Sequence, residues 1–475
     1  MIMLRKFVNR KEEIMHLEGE YGAPRFSFTV IYGRRRVGKT ELILQLAKKH
    51  PHIYFLADKR GTISNVIRFR KKAAAYFGDT EPAAESFDTV FEYIAKRWTK
   101  SEKLIIVIDE FSYLVEKDDA IPSVFQLIID EILSKRNNVY LILAGSLISM
   151  IEKGVLSYKS PLYGRRTSQI KLNPLKFRDL FEFFPEYSAE EIVRIYGAVG
   201  GIPYYLNMIN PQLDFFENVN RIFLNKESVL FYEGEWLLRE ELRDPSNYLN
   251  ILSAIARGST RISEIANKTY IPAKDLPYYL QTLQKLGFVR REVPILEKPT
   301  TKKSIYILSD NFLRFWFRYI FSNLENIESG DTESVLEEIK SSYNTFLGKT
   351  FEDICIEFVK GLSRHNLLPI KIKKIGRQWG TIRGKRKGYN RYEIDFIGID
   401  ASRKKILAGE SKWRDNVNCE KTLDELKEKV NCVPGKEKFE EIHFCIIAKS
   451  FSKKVTQEKN VLYFELKDIA KKQIE

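Results

Sequence analysis

The sequence predicts an α/β protein in three parts. Two stretches carry most of that prediction. The apolar run Phe28-Thr29-Val30-Ile31-Tyr32 leads into a glycine-bounded loop and then an apolar-periodic stretch to Lys48, the order strand, loop, helix. Further on, Leu104-Ile105-Ile106-Val107-Ile108 is an unbroken apolar run, β-branched from Ile105, as suits a strand buried on both faces of a parallel sheet. Length fits this division. At about 150 residues per domain, 475 residues suggest roughly three domains. Their expected spans are 1–235, 236–325 and 335–475.

The loop reads Gly33-Arg34-Arg35-Arg36-Val37-Gly38-Lys39-Thr40 and fits G-x-x-x-x-G-K-[ST], the P-loop. Gly33 and Gly38 let the backbone take turns that a Cβ would resist. The N–H groups of the loop and of the helix start, which includes Glu41, then face a phosphate chain. Lys39 would reach the β/γ-phosphates, and the Thr40 hydroxyl would take a place on Mg²⁺. The second strand ends in Asp109 and Glu110. Ligands of open α/β sheets collect at the carboxyl ends of strands, so both acids are expected beside the phosphates. Asp109 would hold hydrated Mg²⁺, and Glu110 would orient and deprotonate the attacking water. ATP and Mg²⁺ are the cofactors this implies.

The stretches FVNRKEEI, VIYGRRRVGKTEL, LIIVIDEFSYL, LILAGS, SPLYGRRTSQIKLNPL and GGIPYYL span residues 7–206 and resemble the archaeal branch of the STAND ATPases, relatives of the AAA+ proteins. The resemblance implies an ASCE-type P-loop domain with a helical lid. It places Ser146, after the strand 139–144, where a polar residue senses the γ-phosphate; a plain turn serine is the alternative. It sets Pro203, in Gly201-Ile202-Pro203, near the adenine, and makes Arg165 a candidate for contact with the γ-phosphate. Whether Arg165 acts in cis or on a neighbouring subunit stays open, as do a homo-oligomer and a plain ion pair for Arg165.

In the middle part, 250–256, 261–266 and 274–286 read as helices, the last with Leu276, Leu280, Leu283 and Leu286 on one face. The segments 288–292 and 304–308 read as two strands joined by a loop with Lys298, Lys302 and Lys303. This is the order of a winged helix. Its third helix offers Lys274, Tyr278, Gln281 and Lys285 to a major groove. The alternative is a winged helix that packs on the nucleotide domain as a lever, its usual place in STAND relatives.

The last part reads as a helix at 346–360, strands at 367–375, 392–399 and 405–411, a helix at 423–430, and strands at 442–448 and 461–465. Side chains two apart on a strand share a face, so Glu393 lies with Asp395 and Glu410 with Lys412. Two acids and a lysine fit a Mg²⁺ site with a charge stabiliser. The constellation resembles the PD-(D/E)xK nucleases, a restriction-endonuclease-like α/β fold. Asp395 and Glu410 map to the motif acids and Lys412 to its lysine; Glu352 maps to the helix glutamate of that family, and Ile394 replaces the motif proline. An inactive scaffold is the alternative. Lys371, Lys373, Lys374, Arg377, Arg383, Lys385, Arg386, Lys387 and Arg391 follow one another with no acid between them, and Trp379 and Tyr389 are interleaved. Such a hairpin suits the phosphates and bases of DNA, and a solvated edge is its alternative.

Composition agrees. Lys and Arg exceed Asp and Glu for a net charge of +15, which favours an acidic polymer over a membrane; many surface lysines alone would give the same count. The four cysteines form no C-x-x-C pair and read as reduced, cytoplasmic residues. No apolar run nears the ~18 residues of a membrane span, and the N-terminus shows no signal-peptide pattern.

Overall fold

Strand β1 (Ser27–Tyr32) is central to a five-stranded parallel sheet with β2 (His52–Leu56), β3 (Leu104–Asp109), β4 (Val139–Gly145) and β5 (Ser168–Lys171), in the order β2-β3-β4-β1-β5. The computed structural model describes residues 7–242, 244–382, 384, 386, 390–453 and 458–471. Strands β3 and β4 are buried along their whole length because helices cover both faces of the sheet. Phe28, Ile106 and Leu141 pack with Phe91 and Phe125 on one face. Ile31, Ile105 and Ile142 pack with Leu42 and Leu46 on the other. Strand β4 lies between β1 and β3, so the residue that follows it, Ser146, emerges between the loop after β1 and the acids after β3. Strand β5 was not expected. It is a short edge strand, and only Ile170 of its four residues is buried.

The chain divides into two compact units. The first is Met1–Leu175 with Ile202–Met208 and Glu240–Arg243; the second is Lys176–Gly201, Ile209–Arg239 and Asp244–Glu475. This departs from the expected boundaries near 235 and 325. The reason is visible in the helix Ala189–Val199. A Cβ on its Gly197 would crowd the Leu347 side chain, and the Arg194 backbone oxygen accepts from Tyr343 Oη at 2.6 Å. Tyr343 and Leu347 belong to a 33-residue helix, Thr332–Arg364, about 50 Å long at 1.5 Å per residue. The expected helix at 346–360 lies within it.

Within the second unit, helices Ser246–Ala256, Ile262–Thr269 and Leu276–Lys285 precede an antiparallel pair, β6 (Val289–Glu292) and β7 (Ile305–Leu308). Leu276, Leu280 and Leu283 are fully buried. The chain turns after them at Gly287, where φ is +76°. The other sheet holds β8 (Lys374–Thr381), β9 (Arg391–Ile399), β10 (Lys405–Lys412), β11 (Glu441–Ala448) and β12 (Val461–Glu465), in the order β12-β11-β10-β9-β8. Strands β8, β9 and β10 pair antiparallel, and β10, β11 and β12 pair parallel. The helix Cys419–Asn431 covers one face through Leu426 and Val430. The first strand starts at Lys374 rather than at 367. Pro369 lacks the N–H a ladder uses, and Leu367 is exposed. Among the described residues no helix is long and apolar enough to cross a membrane.

Candidate functional site

The loop after β1 is shaped by contacts that only glycine allows. A Cβ on Gly33 would fall on the backbone oxygen of Leu172, and Gly38 holds φ at +98°. Lys39 opens the helix Lys39–Ala47, and its Nζ donates to the backbone oxygens of Gly33 at 2.9 Å and Arg34 at 3.1 Å. Burial depresses its pKa, so a phosphate entering the loop would meet a poorly solvated ammonium. Val37 is a core residue, and its carbonyl accepts from Arg10 at 3.4 Å. Pro203 lies against Gly38, and the Arg36 guanidinium stacks over the Tyr204 ring at 4.5 Å. Glu41 is engaged along its own helix, accepting from Gln45 at 2.6 Å.

The acids after β3 meet this loop. Thr40 Oγ1 donates to Asp109 Oδ2 at 2.7 Å, and Tyr54 Oη donates to the same oxygen at 2.8 Å. Burial, and then the Asp109 charge, raise the Tyr54 phenol far above its ordinary pKa, so it stays a donor. Glu110 stands in a left-handed conformation, φ 53°. Its Oε2 accepts from Ser146 Oγ at 2.7 Å and Ser146 N at 3.3 Å. Mg²⁺ takes few protein ligands and keeps waters and phosphate oxygens around it. One hydroxyl and one carboxylate in contact, Thr40 and Asp109, fit such an ion.

Arg165 departs from expectation. Its Nε and NH2 donate to both oxygens of Asp130, at 2.8 and 2.7 Å, and NH1 donates to Pro161 O at 2.6 Å. With the planar fork filled by these partners, Arg165 is a structural ion pair here, and its pKa is raised by Asp130. Sequence reasoning missed Arg10 and Tyr54. Tyr54 carried a signal: it is the polar-tipped aromatic in β2, and Leu56 in that strand pairs with Asp109.

A second cluster lies at the ends of β9 and β10. Asp395 Oδ2 accepts from Ser411 N at 2.7 Å and Ser411 Oγ at 2.9 Å. Glu410 Oε1 accepts from Lys412 at 2.6 Å and from Lys429, on the helix Cys419–Asn431, at 2.7 Å. Glu410 Oε2 is buried without a hydrogen-bond partner. Burial, and then the Glu410 charge, raise the Asp395 pKa. The Glu410 charge also raises that of Lys412, against the effect of burial. The two acids and the lysine are thus brought together, and Lys429 joins them unforeseen. Among the described residues no group of three or more His, Cys, Asp or Glu forms a metal-holding cluster.

Glu352 and Arg377 are corrections. Arg377 is only 3% exposed. Its NH1 donates to both oxygens of Glu292 at 2.7 and 2.8 Å, its Nε to Glu352 at 2.9 Å and its NH2 to Asp353 at 2.9 Å. It therefore has no fork left for a phosphate, and Glu352, which also accepts from Lys349 at 2.8 Å, is one of its counter-ions rather than a partner of Asp395. Trp379 gives its indole N–H to Lys303 O at 3.2 Å, so it is held to the β6–β7 loop. Lys371, Lys373, Lys374, Arg386 and Arg391 are exposed. Arg383, Lys385, Lys387 and Tyr389 lie outside the described residues.

A parallel sheet, a glycine-bounded phosphate loop and acids at the end of β3 define a P-loop ATPase. Comparisons agree. Residues 7–209 match the family "ATPase domain predominantly from Archaea", and residues 316–427 match the family "Archaea bacterial proteins of unknown function". The uncharacterized protein MJECL04 of Methanocaldococcus jannaschii is 39% identical over 466 residues, covering 98% of this chain and 100% of that protein. The chain belongs to the same family as this protein, and it carries an ATPase domain of the kind found predominantly in Archaea. The Walker-type ATPase PABY2304 of Pyrococcus abyssi shares the fold at 22% identity and a TM-score of 0.50, over 66% of this chain and 96% of that one.

Proposed function

We propose that the first unit binds ATP with Mg²⁺ at Thr40 and Asp109 and hydrolyses it with Glu110 as the general base, in the manner of a STAND-type ATPase. The observation that carries this reading is Ser146 fastened to Glu110 at 2.7 Å. A base must be aimed before it can take a proton, and this bond aims it. Bound Mg²⁺ would neutralise charge on the phosphates. Lys39 would draw the β/γ-phosphates into the loop in place of its bonds to Gly33 and Arg34 oxygens. Lys39→Ala is expected to lose nucleotide binding in a titration; unchanged affinity would remove the loop from the site.

The second part of the proposal concerns the β9–β10 cluster and DNA. The sheet order, the pairing of Asp395 with Ser411 and the two lysines on Glu410 favour a nuclease-like domain of restriction-endonuclease type. The unpartnered Glu410 Oε2, beside the Asp395 carboxylate, fits a divalent cation completed by water and phosphate oxygens. Lys412 would stabilise charge at the scissile phosphate. Lys429 would stay on Glu410, so the buried carboxylate keeps a counter-ion when Lys412 turns to the substrate. Three helices followed by β6 and β7 favour a winged helix, read as a lever between nucleotide state and the last domain. The test is incubation with branched, linear and single-stranded DNA, with Mg²⁺ or Mn²⁺, with ATP, ADP or no nucleotide. Asp395→Ala is expected to abolish cleavage and leave ATP hydrolysis intact. No cleavage by the wild type on any substrate would favour an inactive, binding-only domain.

A further inference from the structure

The helix Val229–Glu241 ends in Arg239-Glu240-Glu241. Two carboxylates at a helix C-terminus are electrostatically misplaced, because the last carbonyls already carry partial negative charge there. The neighbouring arginine does not correct this: Arg239 bonds Glu235 at 2.8 Å. Compensation comes from the phosphate loop. Glu240 forms an ion pair with Arg35, whose guanidinium belongs to the loop sequence. Glu241 accepts from Ile148 N and Ser149 Oγ, each at 3.4 Å, just beyond β4, and burial raises its pKa to about 7. Both glutamates belong to the first compact unit, although the helix up to Arg239 belongs to the second. The end of this helix thus sets the Glu240 carboxylate on a cation of the phosphate loop.

We propose that Glu240 is a positioning residue for nucleotide: it holds Arg35 of the loop in the nucleotide-free state and is displaced by the triphosphate. A nucleotide phosphate and the Glu240 carboxylate compete for Arg35. Filling the loop therefore releases the last turn of the helix, which its own dipole does not stabilise. ADP, with one phosphate fewer, displaces it less.

The test is titration of the full chain with fluorescent ATP and ADP analogues. Glu240→Gln is expected to tighten ATP binding about 3- to 10-fold, the scale of one partly exposed ion pair, and ADP binding by less. Glu240→Asp, which keeps the charge, should stay near wild type. In an Arg35→Gln background the effect of Glu240→Gln should vanish, because the residue acts through Arg35. Amide exchange at 237–242 should speed up when the ATP analogue binds. Unchanged or weaker ATP affinity in Glu240→Gln, or exchange that slows, would overturn the proposal.

Discussion

Ser146 shows what a single side chain adds to a motif. The Asp109-Glu110 pair is readable from sequence, but the direction in which Glu110 points is set by a hydroxyl 36 residues away, at the end of β4. In the structure the expected γ-phosphate sensor bonds Glu110, and under the function proposed above that bond would aim the base. Ser146→Ala is therefore expected to lower turnover on the order of tenfold with little change in ATP affinity, a kcat loss without a matching KM change. Steady-state phosphate release checks it, and an effect on KM alone would return Ser146 to a binding role. Arg377 carries the opposite lesson. A run of lysines and arginines looks like a phosphate surface, yet one member is buried with three acids around it. Nothing local distinguishes it, because its partners Glu292, Glu352 and Asp353 come from a distant strand and helix. Arg377→Met should destabilise the protein by about 3–5 kcal/mol, since it leaves buried carboxylates uncompensated. A melting temperature within a degree of wild type would show that the network contributes little. Asp353 adds a pH dependence. Burial would raise its pKa, but Arg290, Arg377 and Arg314 hold it down at about 2. A depressed carboxylate contributes its stability above its ordinary pKa and loses it as pH falls toward the folded value. Unfolding midpoints should therefore fall between about pH 4 and pH 2, and Asp353→Asn should flatten that slope.

At the scale of elements, the strands and helices buried on one clear pattern were legible and the ambiguous ones were not. β3 and β4 announce themselves as unbroken apolar runs, and the helix Leu276–Lys285 by its buried leucines. The edge strand β5 has one buried residue and so almost no pattern to read. The long helix Thr332–Arg364 extends well before the expected start at 346, through first turns rich in exposed acids. Trp379 looked free to stack on bases because its bond to Lys303 joins segments 76 residues apart. The basic stretch around β8 still has an exposed component in Lys371, Lys373, Arg386 and Arg391. Reversing these four to glutamate should weaken DNA binding for all sequences alike and reduce its salt dependence. Affinity that does not change would make the stretch a solvated edge.

At the scale of the whole chain, the order of motifs suggested spans ending near 235 and 325, and the compact units divide the chain differently. The helices 176–201 and 209–239 follow the ATPase motifs in sequence, yet they belong to the second compact unit, held there by side chains such as Tyr343 and Leu347. Boundaries depend on such distant packing, whereas the loop and the acids depend on spacing within one short stretch. The β9–β10 cluster lies between these cases: strand alternation brought Asp395, Glu410 and Lys412 together, and Lys429 came from a helix no local pattern tied to them. The account rests on Glu110 as the base of an ATPase. The most direct test is single-turnover phosphate release from ATP and Mg²⁺ by the wild type and Glu110→Gln, alongside ATP binding. Glu110→Gln should bind ATP as the wild type does and release phosphate about 10²–10⁴ times more slowly. Wild-type release rates in Glu110→Gln would contradict it.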